Sequence, residues 1–367
     1  MKKSRICCIL NYPSHYRSRI YQLMEQELDC DFFFGDVDIK TIRKLDYSVF
    51  RKKITDLHTR KLGPFNWISG AWPLIFKNYD KYVLTGYPYC LSDWLILLLA
   101  CLLRKKTYLW THGWYGDETK SRVFFKKLFF GFSSGLFLYG DYAKDLMIAA
   151  GFRQEKLHVI YNSLDYDKQL VVRKKLKPTS VYRDHFGNDD PVLIFTGRLN
   201  KSKKIEHLIN VHQLLSEEIQ FNVLLLGDGP EIESLKVKVK NFQLEKQYWF
   251  YGACYDEGVI GEFYYNAAVC VSPGNVGLTA MHSMMYGCPV ITHSSFPKQM
   301  PEFEIIQKSI TGAFFEYNNV VSLSKTIRFW LKEHSEKDNS LRTECFKMMD
   351  EKYNPSYQIE VFKSVLL

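Results

Sequence analysis

This sequence of 367 residues has neither a cysteine pattern typical of disulfides or zinc nor a long apolar run. Its nine cysteines are odd in number, include the adjacent pair Cys7 and Cys8, and never show C-x-x-C spacing, which argues against a disulfide framework and against a zinc site. The longest apolar run, Trp94–Leu103, is about half as long as a membrane-spanning helix. Only Ile6–Leu10 follows the basic N-terminal residues, which is too short for a signal-peptide core. We therefore expect a cytoplasmic protein, and a position at the inner face of the membrane stays open.

The sequence also has no solenoid repeat and no low-complexity segment, and its length favours two domains. With 46% hydrophobic residues, each domain can bury a core. The net charge is about +11 for residues 1–190 and about −2 for residues 191–367. This asymmetry indicates an anionic partner of the first half, either a membrane surface, a phosphorylated substrate or nucleic acid, unless it is only a solvated basic face. Nucleic acid is the least favoured, because no known reading motif accompanies the cations.

Short apolar runs alternate with longer amphipathic stretches along the chain, which is typical of βα units and parallel sheets. The predicted strands are Arg5–Leu10, Asp31–Phe34, Lys81–Thr85, Thr107–Trp110, Leu136–Tyr139, Leu157–Tyr161, Pro191–Thr196, Phe221–Leu226, Tyr248–Tyr251, Val269–Ser272 and Pro289–Thr292. We expect an α/β fold of two doubly wound, Rossmann-like domains that face each other across a cleft. The domains are placed at residues 1–168 and 191–342, joined by a polar linker at 169–190. The sequence leaves open whether residues 343–367 form a terminal helix that packs back on the first domain.

The sharpest local signal is the segment G-R-L-N-K-S-K, which directly follows a predicted strand and contains Gly197, Arg198 and Lys203. Glycine permits a close approach of the backbone, and cations at the C-terminal edge of a sheet suit a diphosphate. The next strand ends in a G-D-G-P turn with Gly227 and Gly229, whose N–H groups are placed to face a phosphate or a nucleoside. For both segments an ordinary surface turn stays the alternative.

A third segment, Val271–Ile291, has the pattern of a strand, a glycine-rich loop, a helix, a glycine and a second strand. A helix that starts near Gly277, Leu278 and Thr279 aims its free N–H groups and the positive end of its dipole at the crevice. That helix start would stabilise an anionic leaving group. The third segment and the cations of the first therefore indicate the same class of ligand.

Taken in order, these motifs resemble the donor domain of GT-B-fold glycosyltransferases, specifically the family-4-like group that acts on nucleotide sugars. The resemblance covers roughly residues 191–330 and runs through G-R-L-x-x-x-K, G-x-G-P, S-P-x-x-x-G-L, G-x-P-V-I, Pro301-Glu302 and Gly312. It implies that Arg198 and Lys203 hold the donor diphosphate and that the Gly277–Thr279 turn caps it. The residues expected to bind the donor are Gly197, Gly227, Gly229, Gly274, Asn275, Gly277, Leu278, Thr279 and His282.

One departure from the family pattern lies in this loop and helix. The family usually has two glutamates eight positions apart, and this sequence has Gly274 and His282 at those positions. The resemblance assigns the first glutamate to the donor sugar and the second to the nucleotide ribose. Here His282 retains the ability to hydrogen-bond a ribose, whereas Gly274 offers only backbone, so we expect Asn275 to take over the sugar contact.

His112 follows the predicted strand Thr107–Trp110 and therefore lies at the C-terminal edge of the first sheet. The resemblance places a histidine here beside the donor sugar. A packed or capping histidine is the alternative. We expect His112, Arg198 and Lys203 to be the catalytic residues.

The first half also holds candidates for acceptor contacts. His15 and Arg17 lie in the first loop, where they either address an acceptor or donor phosphate or cap the next helix. Arg122, Lys126 and Lys127 interleave with phenylalanines in a basic stretch that either rests on anionic lipid or packs in the core with snorkelling lysines. With a basic acceptor domain at 1–168, the acceptor can be lipid-linked, as it is for many relatives.

Two D-x-D triplets, Asp36-Val37-Asp38 and Asp165-Tyr166-Asp167, lie outside the donor segment and are assigned to turns. No metal and no cofactor is expected, because cationic side chains and a helix terminus can neutralise a diphosphate.

The sequence therefore predicts a glycosyltransferase that moves a hexose-type sugar from a nucleotide diphosphate to a hydroxyl of a glycan or lipid-linked oligosaccharide in polysaccharide biosynthesis. By resemblance, transfer would retain the anomeric configuration. Two alternatives stay open, a catalytically silent relative that binds nucleotide sugar or glycan and a nucleotide-sugar epimerase.

Overall fold

The structure is a computed structural model that describes residues 5–37, 43–334 and 339–367. The chain forms two compact units. Unit 1 consists of residues 1–166 and 352–367, and unit 2 consists of residues 167–351. Within the described residues no helix combines the length and the apolar character that crossing a bilayer requires.

Unit 1 is built on one parallel sheet. Its strands within the described residues are β1 (Ile6–Leu10), β2 (Cys30–Gly35), β3 (Thr55–Leu57), β4 (Thr59–Leu62), β5 (Phe65–Ile68), β6 (Lys81–Thr85), β7 (Lys106–Thr111), β8 (Gly135–Leu138) and β9 (Leu157–Val159). The helices between them are α1 (Ser18–Leu28), α2 (Leu91–Leu102), α3 (Lys120–Gly131) and α4 (Asp141–Ala149). Seven strands pair in the order β3-β2-β1-β6-β7-β8-β9, and β4 and β5 form a separate antiparallel pair.

Unit 2 repeats this architecture. Its helices within the described residues are α5 (Tyr166–Arg173), α6 (Val181–Phe186), α7 (Ile205–Leu215), α8 (Ile232–Asn241), α9 (Glu257–Asn266), α10 (Leu278–Met285), α11 (Val320–Glu333) and α12 (Asn339–Glu351). Its strands are β10 (Val192–Thr196), β11 (Asn222–Leu226), β12 (Tyr248–Gly252), β13 (Val269–Ser272), β14 (Val290–His293) and β15 (Gly312–Phe315). They pair in parallel in the order β12-β11-β10-β13-β14-β15. The last helix, α13 (Pro355–Leu366), belongs to unit 1.

The central strands form because their sequences are continuous apolar runs. Every residue of β1, β10 and β11 is buried. Helices cover both faces of a doubly wound parallel sheet, so its strands need no polar side.

The strand order reverses beside β1 in unit 1 and beside β10 in unit 2. At such a switch point the loops that leave two neighbouring strands diverge and open a crevice at the carboxyl ends of the strands. In unit 2 the crevice lies between the loop after β10 and the loop after β13. Those two loops carry the predicted donor-binding residues Gly197, Gly274, Asn275 and Gly277, together with Arg198 and Lys203.

All eleven strands predicted from the sequence are present within two residues at each end. The structure adds β3, β4, β5 and β15. The strands β3 and β4 are short and largely exposed, so they lack the apolar runs on which strand prediction depends. The strand β5 has only four residues, of which Ile68 alone is buried.

Residues 169–190, predicted as a linker, lie in unit 2 and contain most of α5 and all of α6. The reason is the packing of Tyr182, whose ring stacks on Phe263 and whose hydroxyl donates to the Phe263 carbonyl at 2.7 Å. At the other end of the chain, α12 belongs to unit 2 and α13 to unit 1. Phe362 of α13 packs on Phe137 of β8, with ring centroids 4.5 Å apart.

Candidate active site

Three of the predicted donor-binding glycines are places where backbone segments of unit 2 pack on each other. A Cβ on Gly227 would lie 1.9 Å from the carbonyl oxygen of Gly197, and one on Gly229 would lie 2.2 Å from that of Leu199. A Cβ on Gly274 would lie 2.0 Å from the carbonyl oxygen of Ser202. These glycines bring the loops after β10, β11 and β13 together at the switch point, so they shape the crevice.

Lys203 lies at the end of a short turn after β10 and is largely buried. Its Nζ donates to the carbonyl oxygen of Asn275 at 2.7 Å and to the side-chain Oδ1 of Asn275 at 2.9 Å. Burial lowers the pKa of Lys203 to about 8, while Glu302 acts in the opposite direction. Lys203 is therefore mainly protonated at neutral pH, and a bound anion would favour its charged form further. Asn275, expected at the donor sugar, uses both oxygens to hold this lysine.

Arg198 lies two residues beyond the end of β10, and its side chain is exposed. Within the described residues no hydrogen bond or ion pair engages its guanidinium group. An arginine without a partner at the C-terminal edge of a parallel sheet is available for a bidentate contact with phosphate.

The start of α10 faces the same crevice. Gly277 is the N-cap residue, with φ +51°, and α10 begins at the next residue, Leu278. The Oγ1 of Thr279 donates to the carbonyl oxygen of Thr196 at 3.0 Å and thereby ties the helix start to the end of β10. The free N–H groups of this first turn are placed beside the cations of the β10 loop, which is a suitable arrangement for an anion.

His282 lies in the second turn of α10 and pairs with a carboxylate that the sequence analysis did not single out. Its Nε2 is 3.0 Å from Oε2 of Glu257, the first residue of α9. The hydroxyl of Tyr286 donates to the same oxygen at 2.6 Å. These partners lower the pKa of Glu257 to about 2 against the opposing effect of burial, so the group is a carboxylate at neutral pH.

In unit 1, His112 directly follows β7 and packs against Tyr139, with ring centroids 4.7 Å apart. Burial and the nearby cations Arg17 and Lys126 lower the pKa of His112 to about 4. The imidazole is therefore neutral at pH 7 and offers one donor and one acceptor.

Arg17 lies in the same part of unit 1. Its Nη2 donates to the hydroxyl of Tyr139 at 2.5 Å, and its guanidinium carbon lies 4.9 Å from the ring centroid of Trp110. The Nε atom is buried and has no hydrogen-bond partner within the described residues. No carboxylate forms an ion pair with Arg17 in that part of the chain. His15 is exposed, and its Nδ1 lies 3.1 Å from the carbonyl oxygen of Arg43.

The described part of the first D-x-D triplet contacts residues of its own loop region. Asp36 lies 2.9 Å from Nδ1 of His58 and accepts the backbone N–H of Thr59 at 2.5 Å, whereas Asp38 lies outside the described residues. Asp165 and Asp167 flank the start of α5. In residues 5–37, 43–334 and 339–367, no group of three or more His, Cys, Asp or Glu side chains forms a candidate metal site.

Comparison with known proteins identifies the domain that carries the crevice of unit 2. A family model described as glycosyl transferases group 1 matches residues 182–348. Residues 182–348 are therefore similar to the group 1 glycosyltransferases, and this matched segment is the group 1 domain. An uncharacterized glycosyltransferase of Methanocaldococcus jannaschii, MJ1607, is 26% identical over 179 residues, which are 47% of this chain and 44% of that relative. The match thus spans less than half of the relative's length.

Solved structures extend the likeness to the entire chain. Anabaena HepE in complex with UDP has a TM-score of 0.72 and 15% identity, over 98% of this chain and 99% of that chain. The lipopolysaccharide outer core galactosyltransferase WaaB, in its apo form, has a TM-score of 0.72 and 14% identity, over 98% of both chains. A glycosyltransferase from Rickettsia africae has a TM-score of 0.72 and 13% identity. The GT-B fold and the family resemblance expected from the sequence are confirmed.

Glu257 is the residue of the group 1 domain that the sequence analysis missed. It precedes His282 by 25 positions and comes from a different helix, so no local motif joins them. One signal was present in the sequence. Asp256 has the character of an N-cap residue, and its Oδ1 accepts the N–H groups of Gly258 and Val259 at 2.7 and 3.3 Å. An N-cap residue at position 256 predicts a helix that starts shortly after β12. In a doubly wound sheet, side chains in the first turn of such a helix approach the crevice.

Proposed function

We propose that the protein transfers a hexose-type sugar from a nucleotide diphosphate sugar to a hydroxyl of a glycan or lipid-linked oligosaccharide. One observation carries this proposal. Arg198, Lys203 and the first turn of α10 lie at the switch point of the group 1 domain and form a cationic site, and the part of the chain that the structure describes holds no cluster of metal ligands. The similar protein HepE forms complexes with UDP and with UDP-glucose, which makes UDP-sugars the first candidates.

The chemistry follows from where negative charge develops. As the bond between the sugar and the diphosphate breaks, the diphosphate gains charge, which Arg198, Lys203 and the N–H groups at the start of α10 stabilise. We propose retention of configuration, with the acceptor hydroxyl bonding to the anomeric carbon and its proton passing to an oxygen of the departing phosphate. No cofactor or metal enters this scheme, because the cations and the helix start neutralise the diphosphate.

Unit 1 is proposed to bind the acceptor. Arg17 has no carboxylate partner within the described residues, so a phosphate or a carboxylate of the acceptor would form an ion pair with its guanidinium group. Neutral His112 is proposed to hydrogen-bond the donor sugar, as the family resemblance implies. His15 is the further candidate in the first loop for contact with the acceptor.

The outer faces of α2 and α3 favour an acceptor at a membrane surface. These helices pack side by side through Trp94, whose ring centroid lies 5.0 Å from that of Phe129. Beyond this contact, Leu102 is 79% and Phe124 is 72% exposed. We call the outer faces of these two helices the α2–α3 surface, and the exposed cations on them or directly after them include Arg104, Arg122 and Lys127. Exposed apolar side chains together with exposed cations on the same pair of helices suit an anionic lipid surface, so we propose peripheral binding to the inner face of the membrane.

We expect the double variant Leu102→Glu, Phe124→Glu to bind vesicles of phosphatidylglycerol and phosphatidylcholine about tenfold or more weakly than the original protein. Each substitution removes an apolar contact and adds a charge that the lipid repels. Vesicle co-sedimentation measures the effect. The matched control is Val237→Glu on α8, whose exposed side chain lies outside the α2–α3 surface. Equal binding of the double variant and the original protein would count against a membrane-facing α2–α3 surface.

The donor proposal is tested with a panel of UDP-, GDP-, ADP- and TDP-sugars, each added to the purified protein in a thermal unfolding assay. A ligand that binds the native state adds about 2.7 kcal/mol to the free energy of unfolding when its concentration is a hundred times Kd, and Tm rises as a result. We expect one base to raise Tm clearly above the others, with or without EDTA. A folded protein whose Tm none of these donors shifts would refute the proposal.

The alternative of a catalytically silent relative rests on one observation, the absence of carboxylates at positions 274 and 282. It predicts a Tm shift with a donor but no transfer to any acceptor and no hydrolysis of the donor. Release of nucleoside diphosphate, followed by a coupled assay, separates the two functions.

A further inference from the structure

The network around Glu257 has more polar groups than the packing of two helices requires. His282 and Tyr286 of α10 and Gln169 of α5 all contact one oxygen of this carboxylate, Oε2, at 3.0, 2.6 and 3.5 Å. The second oxygen, Oε1, has no partner within the described residues. About a fifth of the Glu257 and His282 side chains stays exposed. The carboxylate is therefore held rigidly while one oxygen remains available.

A purely structural role at the start of α9 does not account for this arrangement. An acidic residue in the first turn of a helix commonly caps free N–H groups or compensates the dipole. Here Asp256 already accepts the N–H groups of Gly258 and Val259. Glu257 instead turns toward α10, where His282 fixes it.

The position of the pair relative to the anion site is set by α10. His282 follows Leu278, the first residue of the helix, by four positions, so at about 1.5 Å per residue it lies about 6 Å along the axis from the helix start. In a nucleoside diphosphate the ribose is bonded directly to the phosphate that sits at such a start. A ribose that runs along the second turn of α10 would reach Glu257.

The ribose of a nucleotide is the part of the ligand that a carboxylate at this position can bind. The vicinal hydroxyls of a ribose donate hydrogen bonds, and a carboxylate is their strongest acceptor in Rossmann-like sites. We propose that Glu257, held in place by His282, accepts the ribose hydroxyls of the nucleotide donor and so makes the protein selective for ribonucleotides. This inference rests on the proposed function, because it assumes that a nucleoside diphosphate occupies the crevice of unit 2.

The test compares ligands that differ by a single hydroxyl. We expect the original protein to bind UDP about 10–100-fold more tightly than 2′-deoxy-UDP or 3′-deoxy-UDP, the range for a hydrogen bond to a charged group. In Glu257→Gln this ratio should fall toward one, chiefly through weaker binding of UDP. Isothermal titration calorimetry gives each Kd, and GDP with its deoxy forms replaces UDP if the donor panel identifies guanine.

Two variants separate recognition from folding. Glu262→Gln lies on the same helix and should retain both Tm and the preference for ribonucleotides. Glu257→Asp keeps the charge but shortens the side chain, so it should recover part of the preference if the carboxylate itself is recognised. If Glu257→Gln lowers Tm, its Kd values are compared with those of Glu257→Asp at a temperature where both are folded.

The outcomes distinguish this inference from the function on which it rests. If UDP binds the original protein but 2′- and 3′-deoxy-UDP bind equally well, or if Glu257→Gln leaves the ratio unchanged, Glu257 does not recognise ribose while donor binding stands. If no nucleoside diphosphate binds the folded protein, the proposed function is refuted and the role of Glu257 is refuted with it.

Discussion

The variant Arg198→Ala is expected to lower kcat for sugar transfer by about 10²–10³-fold, the usual cost of removing one donor that stabilises charge in a transition state. The structure gives the reason, because this guanidinium lies at the switch point of the group 1 domain and none of the described residues engages it. Its charge is free for the diphosphate. We expect a smaller change in KM than in kcat, since the charge on the diphosphate increases as the glycosidic bond breaks. Steady-state kinetics with the donor from the panel measure both constants.

The stability of the same variant provides the internal control. An exposed side chain without partners contributes within about 0.5 kcal/mol to stability, so Tm should be unchanged. The matched control is Arg328→Ala, which removes a partly exposed guanidinium of unit 2 that pairs with Glu218 at 2.9 Å. Arg328→Ala should keep full activity. A folded Arg198→Ala variant with the original kcat would show that the diphosphate lies elsewhere.

The sequence was informative about the fold because the strands of both sheets are buried on both faces. Apolar runs such as Val192–Thr196 and Asn222–Leu226 have no competing interpretation once helix-like stretches follow them. The strands β3 and β4 were not predicted for the opposite reason, since residues such as Asp56 and Lys61 give them no apolar period. The sequence also did not show that residues 169–190 belong to unit 2, because their attachment depends on one buried side chain, Tyr182.

The candidate site divides in a similar way. The neighbourhood of Arg198 and Lys203 follows from local motifs, since each motif joins a strand end to a turn and parallel strands end at one edge. The pairing of Glu257 with His282 joins two helices and could not be derived from spacing. Asn275 shows a further limit, because the sequence indicates a polar side chain beside the crevice but not that Lys203 already occupies its oxygens.

Gly274 is a second residue whose surroundings the sequence does not show. From the sequence alone it is a position where the family's glutamate has been lost. In the structure a side chain at this position has no room, because its Cβ would lie 2.0 Å from the carbonyl oxygen of Ser202 and 2.7 Å from Cα of Lys203. Both atoms belong to backbone, which cannot rotate away as a side chain can. The loop after β10 therefore fills the space that a glutamate would need, and restoring the family's residue requires this loop to move.

We accordingly expect Gly274→Ala to lower the free energy of unfolding of unit 2 by about 3 kcal/mol, at the upper end of the usual cost of overpacking. For a unit of this size that corresponds to a fall in Tm of about 6–12 °C. Gly274→Glu should lose at least as much stability and gain no activity, because the shifted loop carries Lys203 away from Asn275. The control is Gly131→Ala, where the new Cβ meets no described atom within 4 Å outside its chain neighbours and the nearby backbone of its own helix, so no loss of Tm is expected. If Gly274→Glu keeps the original Tm, the loop after β10 does not fill that space, and position 274 is a lost catalytic contact rather than a packing constraint.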